Sequence, residues 1–90
     1  MEIEFDPIKR DLTLADRGLD FRDAPVVIEN AVTTFEDTRF DYEETRLVTY
    51  GLLDGRLVAV VWVEIEDGMR VISMRKANDR EQASFLKHMG

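Results

Sequence analysis

The stretch RLVTYGLLDGRLVAVVWVEIEDGMRVISMRKA, residues 46–77, decides the fold. Its three strand-like runs, RLVTYGLL, RLVAVVWVEIE and MRVISMRKA, are separated by Asp54-Gly55 and Asp67-Gly68. An aspartate followed by glycine tolerates the positive φ angles of a two-residue type I′ turn, so the spacing predicts two hairpins and three consecutive antiparallel strands. Two-residue turns set Leu53 opposite Arg56 and Glu66 opposite Met69. One sheet face then carries Val48, Tyr50, Leu52, Leu57, Ala59, Val61, Val63, Ile65, Ile72 and Met74, and is expected to be the face against which N-terminal helices pack. The opposite face, with Leu47, Thr49, Leu53, Val58, Val60, Trp62, Val71, Ser73 and Arg75, is also largely apolar, unlike a solvated sheet face. A terminal helix folds back over it, or part of it serves a partner, with Trp62 as an aromatic anchor beside Arg75, or both, since one short helix need not cover the whole face.

Working outward, IEF at residues 3–5 reads as a short strand. Asp6-Pro7 gives an N-cap followed by proline at the first helical position, and Gly18 gives a stop, so a helix is expected over Pro7–Arg17 with Ile8, Leu12, Ala15 and Leu19 near helical spacing. A second helical segment follows Asp20, with Phe21, Ala24, Val27 and Ile28 as its buried side. Pro25 removes a hydrogen bond beyond a first turn, so this helix begins later than Asp20 or is distorted. AVTTFED, residues 31–37, reads as a further strand before the polar stretch 38–45. Asn78 and Glu81 have capping-box spacing at the start of a short terminal helix carrying Ala83, Leu86 and Lys87. The expected class is α+β: N-terminal helices packed on an antiparallel meander with a short C-terminal helix.

Composition narrows the class further. Ninety residues, 44% hydrophobic and 34% charged, suit one globular domain over residues 1–90 rather than a disordered chain. The apolar run Leu57–Val63 is far too short to span a bilayer. No basic-then-apolar segment opens the chain, so a cytoplasmic protein is expected. With no cysteine, disulfides, thiol chemistry and cysteine-based zinc sites are excluded. The formal net charge of -7 is uneven: residues 1–45 hold thirteen acidic against five basic residues, whereas residues 69–90 hold five basic against two acidic. An acidic half and a basic end point to different partners.

Within that basic end, Arg75 and Lys76 stand side by side at the end of a strand. They are either solvated strand-end charges or cations placed to meet something negative. Arg46 has a similar choice, between an ion pair with Glu43 or Glu44 and a phosphate. No glycine-rich phosphate loop, serine-histidine-aspartate set or histidine cluster is present, and Asp41, Glu43 and Glu44 lack the ligand spacing of a calcium loop, so no metal or cofactor is expected. The lone histidine, His88, reads as a surface residue near the end rather than a catalytic one.

In order and spacing, FDPIKR, GLDF, DTRFDYEETR, VTYGLLDGRLVAVVWVE and RVISMRKANDRE resemble the BrnT family of bacterial toxins, the toxin halves of type II toxin-antitoxin pairs with a RelE-like fold. The resemblance runs from Phe5 to about Phe85. It implies a ribonuclease that arrests translation and is held inactive by a DNA-binding ribbon-helix-helix antitoxin of BrnA type, in a hetero-oligomer that meets DNA only through the antitoxin. On the matching positions it implies Lys9, Arg46, Arg75 and Lys76 as catalytic candidates. Trp62, Arg39, Arg80 and Glu81 are the candidates for RNA or partner binding. The chain departs from the family pattern at Arg17 and at Phe40, where histidines are common.

Metal-free RNA cleavage needs a base for the 2′-hydroxyl proton, cations for the charge developing on phosphorus and an acid for the leaving 5′-oxygen. Arginine stays protonated and stabilises phosphate rather than shuttling protons. Proton transfer therefore falls to Lys76, Lys9, Glu43, Glu44 or Tyr42, or positioning and charge stabilisation supply most of the rate. The alternative is a binding module that keeps the toxin fold and acts only as an antitoxin partner and corepressor.

Overall fold

The computed structural model describes residues 2–89, with the side chains of 88 and 89 outside the description. His88 as a surface residue therefore lies outside the described side chains. The order is β1 (Glu2–Glu4), α1 (Pro7–Arg17), a 3₁₀ turn (Phe21–Asp23), α2 (Ala24–Glu29), β2 (Ala31–Glu36), β3 (Leu47–Leu53), β4 (Arg56–Ile65), β5 (Gly68–Lys76) and α3 (Asp79–Met89). The chain is thus α+β, with a five-stranded sheet in the order β1-β5-β4-β3-β2. β1 runs parallel to β5 and every other neighbouring pair is antiparallel. Among the described residues no helix is long and apolar enough to cross a membrane.

Local chemistry sets the element ends. The Asp6 side chain accepts from the Ile8 backbone N–H at 2.9 Å, and Gly18 closes α1 in the left-handed region at φ 69°. Pro25 is accommodated because the turn after Asp20 is 3₁₀ and α2 starts at Ala24, leaving the proline in a first turn where its missing N–H costs nothing. The Arg10 guanidinium ties α1 to this turn through Asp20 at 3.0 and 2.7 Å.

Leu53 faces Arg56 as the first turn demands, with Asp54 and Gly55 both at positive φ. The second hairpin departs from expectation. Ile65 faces Gly68, so Glu66 and Asp67 form the turn, and Gly68 is not among the positive-φ residues. Gly68 serves β1 instead: a Cβ there would lie 1.8 Å from the Glu2 carbonyl oxygen. Further along, a β-bulge between Val61 and Trp62 leaves Ile72 without a cross-strand partner, so that Val61 faces Ser73 and Ala59 faces Arg75.

This bulge and the helix packing reverse the expected faces. α2 and the 3₁₀ turn cover the face bearing Val58, Val60, Met69, Val71 and Met74, which form one core cluster with Leu19, Phe21, Ala24 and Val27. Gly51 on that face explains the choice. The Val27 carbonyl oxygen of α2 lies 2.1 Å from where a Cβ would be, so only glycine lets α2 sit this close to β3. Buried Thr49 on the same face is satisfied by the Trp62 Nε1–H at 2.9 Å and by Thr34 Oγ1 at 2.9 Å. α1 buries none of its residues and leaves Ile8 and Leu12 exposed, because it packs against the β5 edge rather than over the core face.

Candidate functional site

The face turned away from α2 and the 3₁₀ turn carries Val48, Tyr50, Ala59, Val61, Ser73 and Arg75, and its floor opens into a groove of about 530 Å³. The register places Arg75 here only because of the bulge at Ile72, since unbroken alternation from the hairpin would turn it to the helix side. Bulges commonly re-aim a side chain in this way. β2 supplies Phe35 and Glu36, the following segment supplies Asp37, Thr38 and Arg39, and α1 supplies Arg17 from its last turn.

α3 crosses the neighbouring part of the same face, and Glu81 joins it to the groove. Asn78 and Glu81 form the expected reciprocal capping box, at 2.9 and 2.8 Å. The same Glu81 carboxylate receives Arg75 Nη1 at 2.7 Å and Nη2 at 2.9 Å, and accepts a short hydrogen bond from the Tyr50 hydroxyl. Tyr50 in turn accepts from Arg75 Nη2 at 3.0 Å. Arg75, Glu81 and Tyr50 are therefore one closed network. The Arg75 guanidinium holds the Glu81 carboxyl at about 2, well below the usual range. Burial, reinforced by the bond to Glu81, pushes the Tyr50 phenol up. At neutral pH Glu81 is an anion and Tyr50 keeps its proton.

Across the groove, Asp37 is buried and receives Arg39 Nε at 2.9 Å, Arg39 Nη2 at 2.8 Å and the Tyr42 hydroxyl at 3.2 Å. Arg39 holds the Asp37 carboxyl well below its ordinary value. Arg17 differs from these paired cations. It donates from Nη1 to the Met74 carbonyl oxygen at 2.8 Å, on the stretch of the β5 edge that β1 leaves open, and among the described residues pairs with no carboxylate. Among the described residues its other N–H groups bond to no side chain, out of the five donors of a guanidinium.

Of the residues singled out from the sequence, the structure brings Arg39 and Arg75 into the groove, with Glu81 bound to Arg75 beside it. Arg46 is held 4.1 Å over the Tyr42 ring and 3.1 Å from Glu44 and does not line the groove. Lys76 falls opposite Val58, on the helix side, because the bulge that delivers Arg75 turns its neighbour away. Trp62 also lies on the helix side, bonded to Thr49, and so is not beside Arg75. Lys9 lies exposed two turns before Arg17, and Arg80 is exposed on α3; neither lines the groove. Tyr50, Phe35, Arg17 and Asp37 line it without having been singled out as site residues. The two aromatics read in sequence as ordinary strand residues, and Arg17 as a departure from a pattern.

These ion pairs should make the fold acid-sensitive. Glu81 and Asp20, the latter through Arg10, both have folded-state values near 2, against about 4 for free carboxyls. A depressed carboxyl contributes stability that is complete above its unfolded value and lost as pH falls through the folded one. Thermal melts should hold level from neutrality to about pH 5 and fall steeply between about pH 4 and 2, with Asp20→Asn flattening the fall. A level curve through that window would remove these pairs from the stability of the fold.

Compared with known proteins, residues 5–81 match the family model described as "Ribonuclease toxin, BrnT, of type II toxin-antitoxin system". No curated protein matches the chain.

Proposed function

The chain belongs to the BrnT family of ribonuclease toxins of type II toxin-antitoxin systems, and from that membership we propose a metal-independent endoribonuclease that works in the groove around Arg75. The carrying observation is the bulge at Ile72, which sets Arg75 among Tyr50, Glu81 and Arg17 on the open face. In this reading the RNA 2′-hydroxyl oxygen attacks its own phosphorus while the bond to the 5′-oxygen breaks. Arg17 and the outward N–H groups of Arg75 hold the charge that develops on the phosphoryl oxygens. Glu81 does not serve as base, since a carboxyl near 2 accepts protons poorly at neutral pH; it orients Arg75 and Tyr50. The Tyr50 phenol, released from Glu81, donates its proton to the leaving 5′-oxygen, the 2′-hydroxyl proton passes to water, and solvent returns a proton to Tyr50. Lys9, Lys76 and Arg46 then act outside the reacting centre, through the RNA backbone or through structure.

A metal has little to hold it here. Of the carboxylates at the groove, Asp37 and the adjoining Glu81 are engaged by arginines, which leaves Glu36, and among the described residues no three histidine, cysteine or acidic side chains are grouped to bind one.

As a type II toxin the protein has an antitoxin partner. We assign that role to a DNA-binding ribbon-helix-helix protein of BrnA type, whose basic character suits the thirteen acidic residues of positions 1–45, and place the toxin, as a single domain, in the cytoplasm with translation as its target. The corepressor reading has one observation in its favour, that Arg39 and Arg75 are already neutralised by carboxylates. Inducing the chain in a bacterium and following labelled amino-acid incorporation separates the two. Wild type should arrest incorporation, Arg75→Ala should not, and co-expressed antitoxin should restore growth. Unimpaired incorporation with wild type at full expression would favour the corepressor.

A further inference from the structure

Phe35 is a large apolar side chain set among charges. It projects from β2 into the groove shared by Arg17, Arg39 and Arg75, and is 49% exposed. Its ring stacks on Tyr50, with centroids 6.1 Å apart and planes 23° from parallel. Tyr50 is itself fixed by Glu81 and Arg75, so the pair is a rigid two-ring platform whose outer ring remains half open to solvent. A core explanation fails, because every residue of β2 is exposed and Phe35 belongs to no buried cluster. An apolar ring flanked by guanidinium groups matches a ligand that is a flat π-system carried on an anionic backbone.

We propose that Phe35 is a stacking subsite for one unpaired base of single-stranded RNA, adjoining the phosphate held at Arg75. This rests on the ribonuclease reading for the identity of the ligand and adds how the strand is gripped. The Tyr50 ring backs Phe35 on one face and the base covers the other, while Arg17 and Arg39 meet the phosphates on either side. Stacking uses the π-face that every base has, so the subsite selects single strands over duplex without reading sequence. Duplex RNA keeps its bases inside the helix and cannot reach the ring.

The test is equilibrium binding of a short, labelled, fully 2′-O-methylated single-stranded oligoribonucleotide, which cannot be cut, to the full-length purified protein. Phe35→Leu keeps an apolar side chain and should weaken binding about tenfold or more, whereas Phe35→Trp should bind at least as well as wild type. An abasic oligonucleotide should erase the difference between wild type and Phe35→Leu, and a duplex of the same sequence should bind more weakly than the single strand. Phe35→Leu within about twofold of wild type, or no preference for single strand over duplex, would overturn the subsite. No measurable binding of the wild type to the oligonucleotide would overturn it as well. Stacking-dependent binding without any cleavage of unmodified RNA would instead sink the ribonuclease reading and leave the subsite standing.

Discussion

Arg75→Ala should reduce RNA cleavage by about 100- to 1,000-fold, the loss typical of removing one preorganised donor from a developing oxyanion. The fold should survive, because Glu81 retains its cap to the Asn78 N–H and its bond from Tyr50, and Arg75 is 45% exposed. Arg75→Lys should recover only a small part. A lysine cannot reproduce the fork that grips both Glu81 oxygens and Tyr50 together, so the ammonium would be poorly oriented even with its charge kept. The measurement is the single-turnover rate on labelled RNA for each variant, beside circular dichroism at the same temperature. If Arg75→Ala folds and cuts at the wild-type rate, the groove is not the reacting centre.

Gly51→Ala should be the most damaging single-methyl change in the fold, costing about 3 kcal/mol or more as overpacking against atoms that cannot yield. The added Cβ would sit 2.1 Å from the Val27 carbonyl oxygen and 3.1 Å from that of Asn30. The obstacles are backbone of α2 and of its C-cap residue, on a helix pinned by buried Ala24 and Val27, so neither moves without opening the core. Gly68→Ala offers the contrast. Its nominal clash of 1.8 Å with Glu2 is closer, yet β1 has only three residues at the sheet edge and can detach. Its cost should be nearer about 1 kcal/mol. Urea midpoints for the two variants read the difference, and equal or reversed losses would mean that α2 is not locked against β3.

That contrast also marks where the sequence is readable. Asp6-Pro7, Asp54-Gly55 and the Asn78–Glu81 box act through neighbouring backbone, and local spacing identifies all three. Asp67-Gly68 looked like Asp54-Gly55 but had another cause. Gly68 makes room for Glu2, sixty-six residues away in sequence, and the turn slips one residue earlier. No periodicity reveals the bulge at Ile72, and with both sheet faces apolar nothing in the alternation says which one the helices choose. Gly51 was the available clue, since glycine inside a strand often marks a close backbone approach.

The site was legible in the same uneven way. Arg75 stood out as a cation in an acidic chain, and Arg39 and Glu81 came with the family likeness. Lys76 came with Arg75 through the family likeness and as its neighbour, although strand alternation already set the two on opposite faces, and the structure keeps them there. Phe35 and Tyr50 are invisible as a pair in sequence, because fifteen residues and a loop separate rings that the β2–β3 ladder brings together.

The ends of the RNA fragments report the cleavage chemistry itself. Purified protein and labelled RNA should be combined with excess chelator, and the product termini identified by mass spectrometry. Attack by the 2′-hydroxyl in a metal-free groove should leave a 2′,3′-cyclic phosphate and a 5′-hydroxyl at undiminished rate, and should spare RNA carrying a 2′-deoxy sugar at the cut. Cleavage that stops with chelator, or that leaves a 5′-phosphate, would contradict it.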